Sequence, residues 1–262
     1  MNNHNGNPQN KWIESPIRNA GSELRLFCFP YAGGSAANFN SWRGLLPAAV
    51  EMLPVQLPGR GSRILEPALK RNDELADRIV EEMLPVFREK PFAFFGHSMG
   101  ATLGFEVARR LARRYEAAPM ALFVSGRRAP HISGPGLLTY DLPDEALIER
   151  LRRLNGTPRE VIECHELMQL VLPLIRADFE AVETYKYLDS PPLACPIFAL
   201  GGQEDSYVTT ADVEQWNIHT SAECLIKFFP GGHFFLHSHQ DLLLQFLSIT
   251  LIGLLRKKQS AP

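Results

Sequence analysis

Two periods of apolar residues alternate along the chain. Short, nearly continuous apolar runs occupy 24–29 (broken only by Arg25), 50–57, 92–95, 121–125, 196–200 and 225–229. The first two stop at Pro30-Tyr31-Ala32-Gly33-Gly34 and Pro58-Gly59-Arg60-Gly61. Runs of this length, bounded by turn residues, read as buried strands. Longer stretches between them follow helical spacing. Over 73–87 apolar residues at 75, 76, 79, 80, 83, 84 and 87 follow helical spacing, and 99–111 and 210–219 read as further helices. Short strands separated by helices predict a mostly parallel sheet covered on both faces, here as one α/β domain over 21–262.

One region breaks the alternation. Between Ser133 and Ser190 no strand is visible, but helix-like pieces are, at 144–154, 158–171 and 174–187. A helical insertion between two strands is expected to form a lid over the site beneath it, with strands resuming after Pro191-Pro192. Residues 1–20 are polar, without the apolar segment of a secretory signal, and are expected to form a flexible leader. The apolar run 242–255 is shorter than the roughly 20 residues of a spanning helix, and Gln245, Ser248 and Thr250 interrupt it. It is expected to be a buried C-terminal helix, closed by Arg256-Lys257-Lys258 where the helix dipole favours positive charge.

Composition narrows the function classes. Of 262 residues, 45% are hydrophobic and 21% charged, and 27 basic against 29 acidic residues leave a net charge of −2. Such a balance belongs to a globular protein without strong attraction to nucleic acid, so neither nucleic acid nor membrane is an expected partner. Basic groupings such as Arg109, Arg110, Arg113 and Arg114 read as a solvated helix face. Cys28, Cys164, Cys195 and Cys224 are far apart and form no CxxC pair, which fits neither a zinc site nor a redox motif. Reduced thiols in the cytoplasm are the expectation.

Chemistry concentrates at Gly96-His97-Ser98-Met99-Gly100, which follows the strand at 92–95 and opens the helix at 99–111. This is GxSxG in the strand–turn–helix setting that lifts a serine hydroxyl above a sheet, near the positive end of a helix. Ser98 is therefore the expected nucleophile, with His97 structural. A serine hydroxyl needs a base. His233, in Pro230-Gly231-Gly232-His233-Phe234-Phe235 directly after the last strand, stands where an α/β sheet presents functional groups; His237 and His239 are its rivals. His4, His131, His165 and His219 lie in the leader, in helices or in the lid. The acid is expected after the preceding strand, in Gly201-Gly202-Gln203-Glu204-Asp205, with Asp205 favoured and Glu204 the fallback. Oxyanion donors are expected from the backbone N–H of Met99 and from the 30–34 loop, at Ala32, with Tyr31 or Gly33 as the alternatives. Nothing resembles a phosphate loop, a metal cluster or a nucleotide fingerprint, so no cofactor or metal is expected.

Taken as a set, "LFCFPYAGG", "QLPGRG", "PFAFFGHSMGA", "LFVSGRRAP", "GTP", "LPLIRADF" and "PGGHFFL" resemble the type II thioesterases of polyketide and nonribosomal peptide assembly lines. The resemblance runs from Leu24 to about Leu236; related medium-chain acyl-carrier thioesterases share much of it. It implies an α/β-hydrolase fold with a helical lid at about 133–190. It also implies a Ser98, Asp205 and His233 triad with Ala32 and Met99 at the oxyanion positions. The implied reaction is hydrolysis of misplaced acyl groups from the phosphopantetheine arm of acyl and peptidyl carrier proteins; a monomer is expected. Two departures are visible: Ser206 follows Asp205 where proline is common, and Asn155 precedes Gly156-Thr157-Pro158 where glycine is common. The alternatives are a medium-chain fatty acyl thioesterase, a general carboxylesterase, or an inert carrier-binding module.

Overall fold

The computed structural model describes residues 10–14, 19–134, 136, 138–154 and 156–260; His4 and Asn155 lie outside them. Six strands, β1 (Leu24–Phe29), β2 (Val50–Pro54), β3 (Phe92–His97), β4 (Leu122–Ser125), β5 (Ile197–Gly202) and β6 (Cys224–Phe229), form one parallel sheet in the order β2-β1-β3-β4-β5-β6. The chain moves outward from β1 to β2, then returns to β3 and proceeds the other way. The crevice at the carboxyl ends of β1 and β3 is thus the point where strand order reverses, the usual ligand position in an open α/β sheet.

Both faces of the sheet are buried. Phe27, Phe29, Phe94, Leu122 and Ala199 pack toward α1 (Asn72–Glu89) and α2 (Met99–Tyr115). Their neighbours Leu26, Cys28, Phe95, Phe123 and Leu200 pack on the other face with Leu243, Leu247 and Leu251. Successive strand residues point to opposite faces, so a sheet covered twice favours apolar residues at nearly every position. This is why the strands are nearly continuous apolar runs rather than alternating ones; the buried Arg25 of β1 is paired with Glu51 of β2 at 2.9 Å.

Between β4 and β5 the chain builds α3 (Asp144–Leu154), α4 (Arg159–Glu163) and α5 (His165–Glu183). Leu147, Leu151, Ile162, Met168, Leu172 and Ile175 give these helices a hydrophobic cluster separate from the two sheet cores. The expected pieces at 158–171 and 174–187 are corrected here. The break falls at Cys164, whose backbone is extended, and α5 runs through Pro173. An internal proline removes one helical hydrogen bond, but Met168, Leu172 and Ile175 bury one face of α5 on both sides of it, and that packing keeps the helix continuous. Beyond β5 come α6 (Thr210–Glu214), α7 (Phe235–Ser238) and α8 (Gln240–Gln259). Among the described residues no helix is long and apolar enough to cross a membrane.

The expectation of a free leader over 1–20 also needs correction where it is described. Trp12 is 0% exposed within the core on the α1 side. Ile13 forms an antiparallel bridge with Val55, the Gln56 N–H donates to the Trp12 carbonyl at 2.9 Å, and the Arg63 guanidinium lies 4.2 Å from the Trp12 ring centroid. A polar stretch holding one tryptophan can dock through that side chain alone, because an aromatic ring carries so much apolar area. The segment also covers the exposed edge of β2. Trp12→Ala is expected to cost about 3–5 kcal/mol in denaturant unfolding, whereas an unfolding midpoint unchanged from that of the parent protein would return residues 10–14 to a free leader.

Candidate active site

Ser98 sits between β3 and α2 with φ 52° and ψ −112°, a conformation that L residues avoid and that costs of order 1–3 kcal/mol. The two flanking glycines make it possible. A Cβ on Gly96 would lie 2.1 Å from the Gly100 carbonyl oxygen, and one on Gly100 would lie 2.2 Å from the Phe29 carbonyl oxygen. The turn is thereby pressed against the end of β1, and the Ser98 N–H donates to Ser125 at 2.8 Å. Among the described residues the Ser98 hydroxyl enters no hydrogen bond, so it is uncommitted. His97 points into the protein: it is fully buried, and its Nδ1 meets the Ser125 hydroxyl at 2.9 Å. Burial first, then the nearby His233 and His237, hold its pKa well below the ordinary histidine value.

Asp205 and His233 come together because β5 and β6 pair in register, Gly202 opposite Phe229. Their loops leave the same end of the sheet, and His233 Nδ1 lies 2.7 Å from Asp205 Oδ2, with the aspartate side chain 1% exposed. The other carboxylate oxygen accepts the N–H groups of Tyr207 at 2.8 Å and Val208 at 3.2 Å. A carboxylate so placed accepts from Nδ1–H, the tautomer in which a neutral imidazole turns its Nε2 lone pair away from the aspartate. The His233 ring lies 5.2 Å from that of His97, the residue preceding Ser98.

The rivals have other partners. His237 meets the Tyr31 hydroxyl at 3.0 Å and His239 meets the Ser238 hydroxyl at 3.0 Å, neither of them a carboxylate. Glu204 is exposed and engages Gly231 through its backbone N–H. His131 and His219 hydrogen-bond to each other at 2.8 Å. Among the described residues no group of three His, Cys, Asp or Glu side chains could hold a metal.

The 31–34 loop is a turn closed by the Gly34 N–H on the Tyr31 carbonyl at 2.9 Å. Its Gly33 N–H is committed to Asp178 at 2.7 Å, whereas among the described residues no acceptor takes the N–H of Ala32 or of Met99. Tyr31 is held by a hydrogen bond donated from Asn38 at 2.6 Å, and burial pushes its pKa up to about 12, so it stays neutral. A cavity of about 500 Å³ opens between this loop and the lid, walled by Ala32, Gly33, Pro158, Val161, Val171 and Ile175 among others. Ala32, the expected oxyanion donor, lines it. Three residues that sequence reasoning did not single out shape this region. Phe234 packs on the rings of His97, His233 and Tyr31 at 5.7, 5.1 and 5.0 Å, and the lid's Gly156 lies directly on it. Asp178 and Arg60 form the ion pair behind Gly33. The strings around them were visible, but no local pattern says that residues 60 and 178 meet.

The family model for the thioesterase domain matches residues 24–250. Among curated proteins, the linear gramicidin protein LgrE of Brevibacillus parabrevis, named a dehydrogenase, is 43% identical over 244 residues, covering 92% of each chain. The rat medium-chain S-acyl fatty acid synthase thioesterase is 33% identical, over 87% of this chain and 88% of that one. Among solved structures, the type II thioesterase BorB of the borrelidin biosynthetic cluster superposes with a TM-score of 0.82 at 39% identity, over 91% of this chain and 96% of that one.

Proposed function

This chain belongs to the thioesterase domain family, and from that membership we propose that Ser98, His233 and Asp205 hydrolyse acyl thioesters carried on the phosphopantetheine arm of acyl and peptidyl carrier proteins. The observation that carries the site assignment is the 2.7 Å contact of His233 with a buried Asp205, set behind a strained serine turn. His233 Nε2 takes the proton of the Ser98 hydroxyl as the oxygen attacks the thioester carbonyl. The tetrahedral oxyanion is met by the N–H groups of Ala32 and Met99. As it collapses, His233 returns the proton to the departing thiolate and an acyl-serine remains. Water, deprotonated by the same imidazole, attacks that ester, and the carboxylic acid leaves with Ser98 restored.

Resemblance in sequence and fold to type II thioesterases such as BorB supports an editing role, removing misplaced acyl groups, and the fatty acid synthase thioesterases are the more distant relatives. The dehydrogenase name of LgrE is not carried over, because a nucleophile, a base and an orienting acid serve acyl transfer and have no part in moving a hydride. The lid helices would open to admit the tethered acyl group.

A carrier protein adds contacts remote from the reacting carbonyl, and such binding energy can raise kcat/KM without sharpening acyl choice. An apolar pocket discriminates by only about 1–3 kcal/mol per methylene. The expected outcome is therefore broad hydrolysis of short acyl groups on carrier proteins, with kcat/KM above that for the same acyl groups on a small thiol, read from steady-state rates on matched panels. Equal or faster cleavage of the small-thiol esters leaves a general esterase, and a sharp maximum at medium chain length moves the assignment to fatty acyl release.

A further inference from the structure

Arg60 and Asp178 are both buried, on segments 118 residues apart, and meet in a two-pronged pair: Nη1 to Oδ2 at 2.6 Å and Nη2 to Oδ1 at 2.7 Å. Burying two charges is expensive, and an apolar pair of similar size usually stabilises a fold as well or better. What this pair touches suggests why it is there. Asp178 lies on lid helix α5, and its Oδ2 also accepts the Gly33 N–H at 2.7 Å. Arg60, from the loop after β2, donates from Nη1 to the Gly34 carbonyl at 3.1 Å. The pair therefore grips the 31–34 turn from both sides, at a carbonyl and at an amide. Ile175, three residues before Asp178, packs 3.2 Å from where a Gly33 Cβ would be.

Gly33 has φ +74°, which glycine adopts as readily as the opposite sign. Without a fixed acceptor the Ala32–Gly33 peptide plane is free to rotate, and Ala32 would shift with it. Resting on the hydrolase reading above, we propose that Asp178 and Arg60 are positioning residues that lock the 31–34 turn so that the Ala32 N–H faces the oxyanion. Because Asp178 belongs to the lid, the oxyanion hole is complete when α5 is docked. Closing the lid over the substrate and finishing the catalytic constellation are then one event.

The test separates positioning from stability. Asp178→Ala and Arg60→Ala are expected to lower kcat by about 10²-fold, the scale of one oxyanion donor, with KM little changed. The affinity of an alkyl boronic acid, whose adduct with Ser98 imitates the oxyanion, should fall with kcat. Asp178→Asn keeps an acceptor for Gly33 and should recover part of the loss. Should the alanine variants fold poorly, the double variant Arg60→Met/Asp178→Leu removes both charges without stranding either one. It should restore the melting temperature while kcat stays about 10²-fold down. If kcat recovers together with the melting temperature, or if Asp178→Ala keeps full kcat and boronate affinity, the pair only holds the fold and the inference is overturned. A parent enzyme that cleaves no thioester would instead overturn the hydrolase reading, an outcome the parent control reports by itself.

Discussion

Ser98→Ala and His233→Ala each lower kcat by about 10⁶, and the double variant is hardly worse than either single one. The expectation follows from how the two groups work. Without the Ser98 oxygen there is no atom to acylate, and without the His233 imidazole the hydroxyl keeps its proton and is a poor nucleophile. Either loss ends the same step, so the second has little left to remove. Ser98→Ala removes one heavy atom, Oγ, and leaves the turn intact, because φ 52° at that position strains alanine much as it strains serine. The pair of measurements is steady-state turnover of a carrier-bound acyl thioester and labelling by a serine-directed fluorophosphonate. Labelling should vanish in Ser98→Ala and slow steeply in His233→Ala. If His233→Ala turns over near the parental rate, the base is His237 or His239, even though neither of them has a carboxylate partner among the described residues.

Asp205→Asn lowers kcat by about 10⁴, through the tautomer rather than through lost contact. Oδ1 of Asp205 is held by two backbone N–H groups, at 2.8 and 3.2 Å. Asparagine would place its carbonyl oxygen there, because an amide nitrogen cannot accept those protons. Its NH₂ group is then turned toward His233 Nδ1, where Asp205 Oδ2 now lies at 2.7 Å. A donor facing Nδ1 forces the imidazole proton onto Nε2, the nitrogen that must accept from Ser98. The geometry survives and the base is spent. Glu204→Gln, on an exposed side chain, leaves kcat at the parental value. Turnover of the two variants under saturating substrate decides the matter: a mild Asp205→Asn with a severe Glu204→Gln would make Glu204 the acid.

The amino-acid order alone carried the strands, the strained serine turn after β3 and the loops that bring Asp205 and His233 together, because each is marked by a local pattern. A strand buried on both faces is apolar at most positions, and a serine turn pressed against β1 must be flanked by residues without side chains. Asp205 and His233 were readable because each follows a strand directly, and the paired strands β5 and β6 deliver their loops to one place. Where local signals compete with packing, the sequence misled. Pro173 looks like a helix end, yet burial of α5 on both sides carries the helix through it, and a polar leader looked free although Trp12 is buried. What only the tertiary structure decided is what long-range contact decides. Arg60 and Asp178 are 118 residues apart and Phe234 meets the lid at Gly156. Neither meeting has a periodic or spacing signature, because each depends on where separate segments come to rest on the same sheet end.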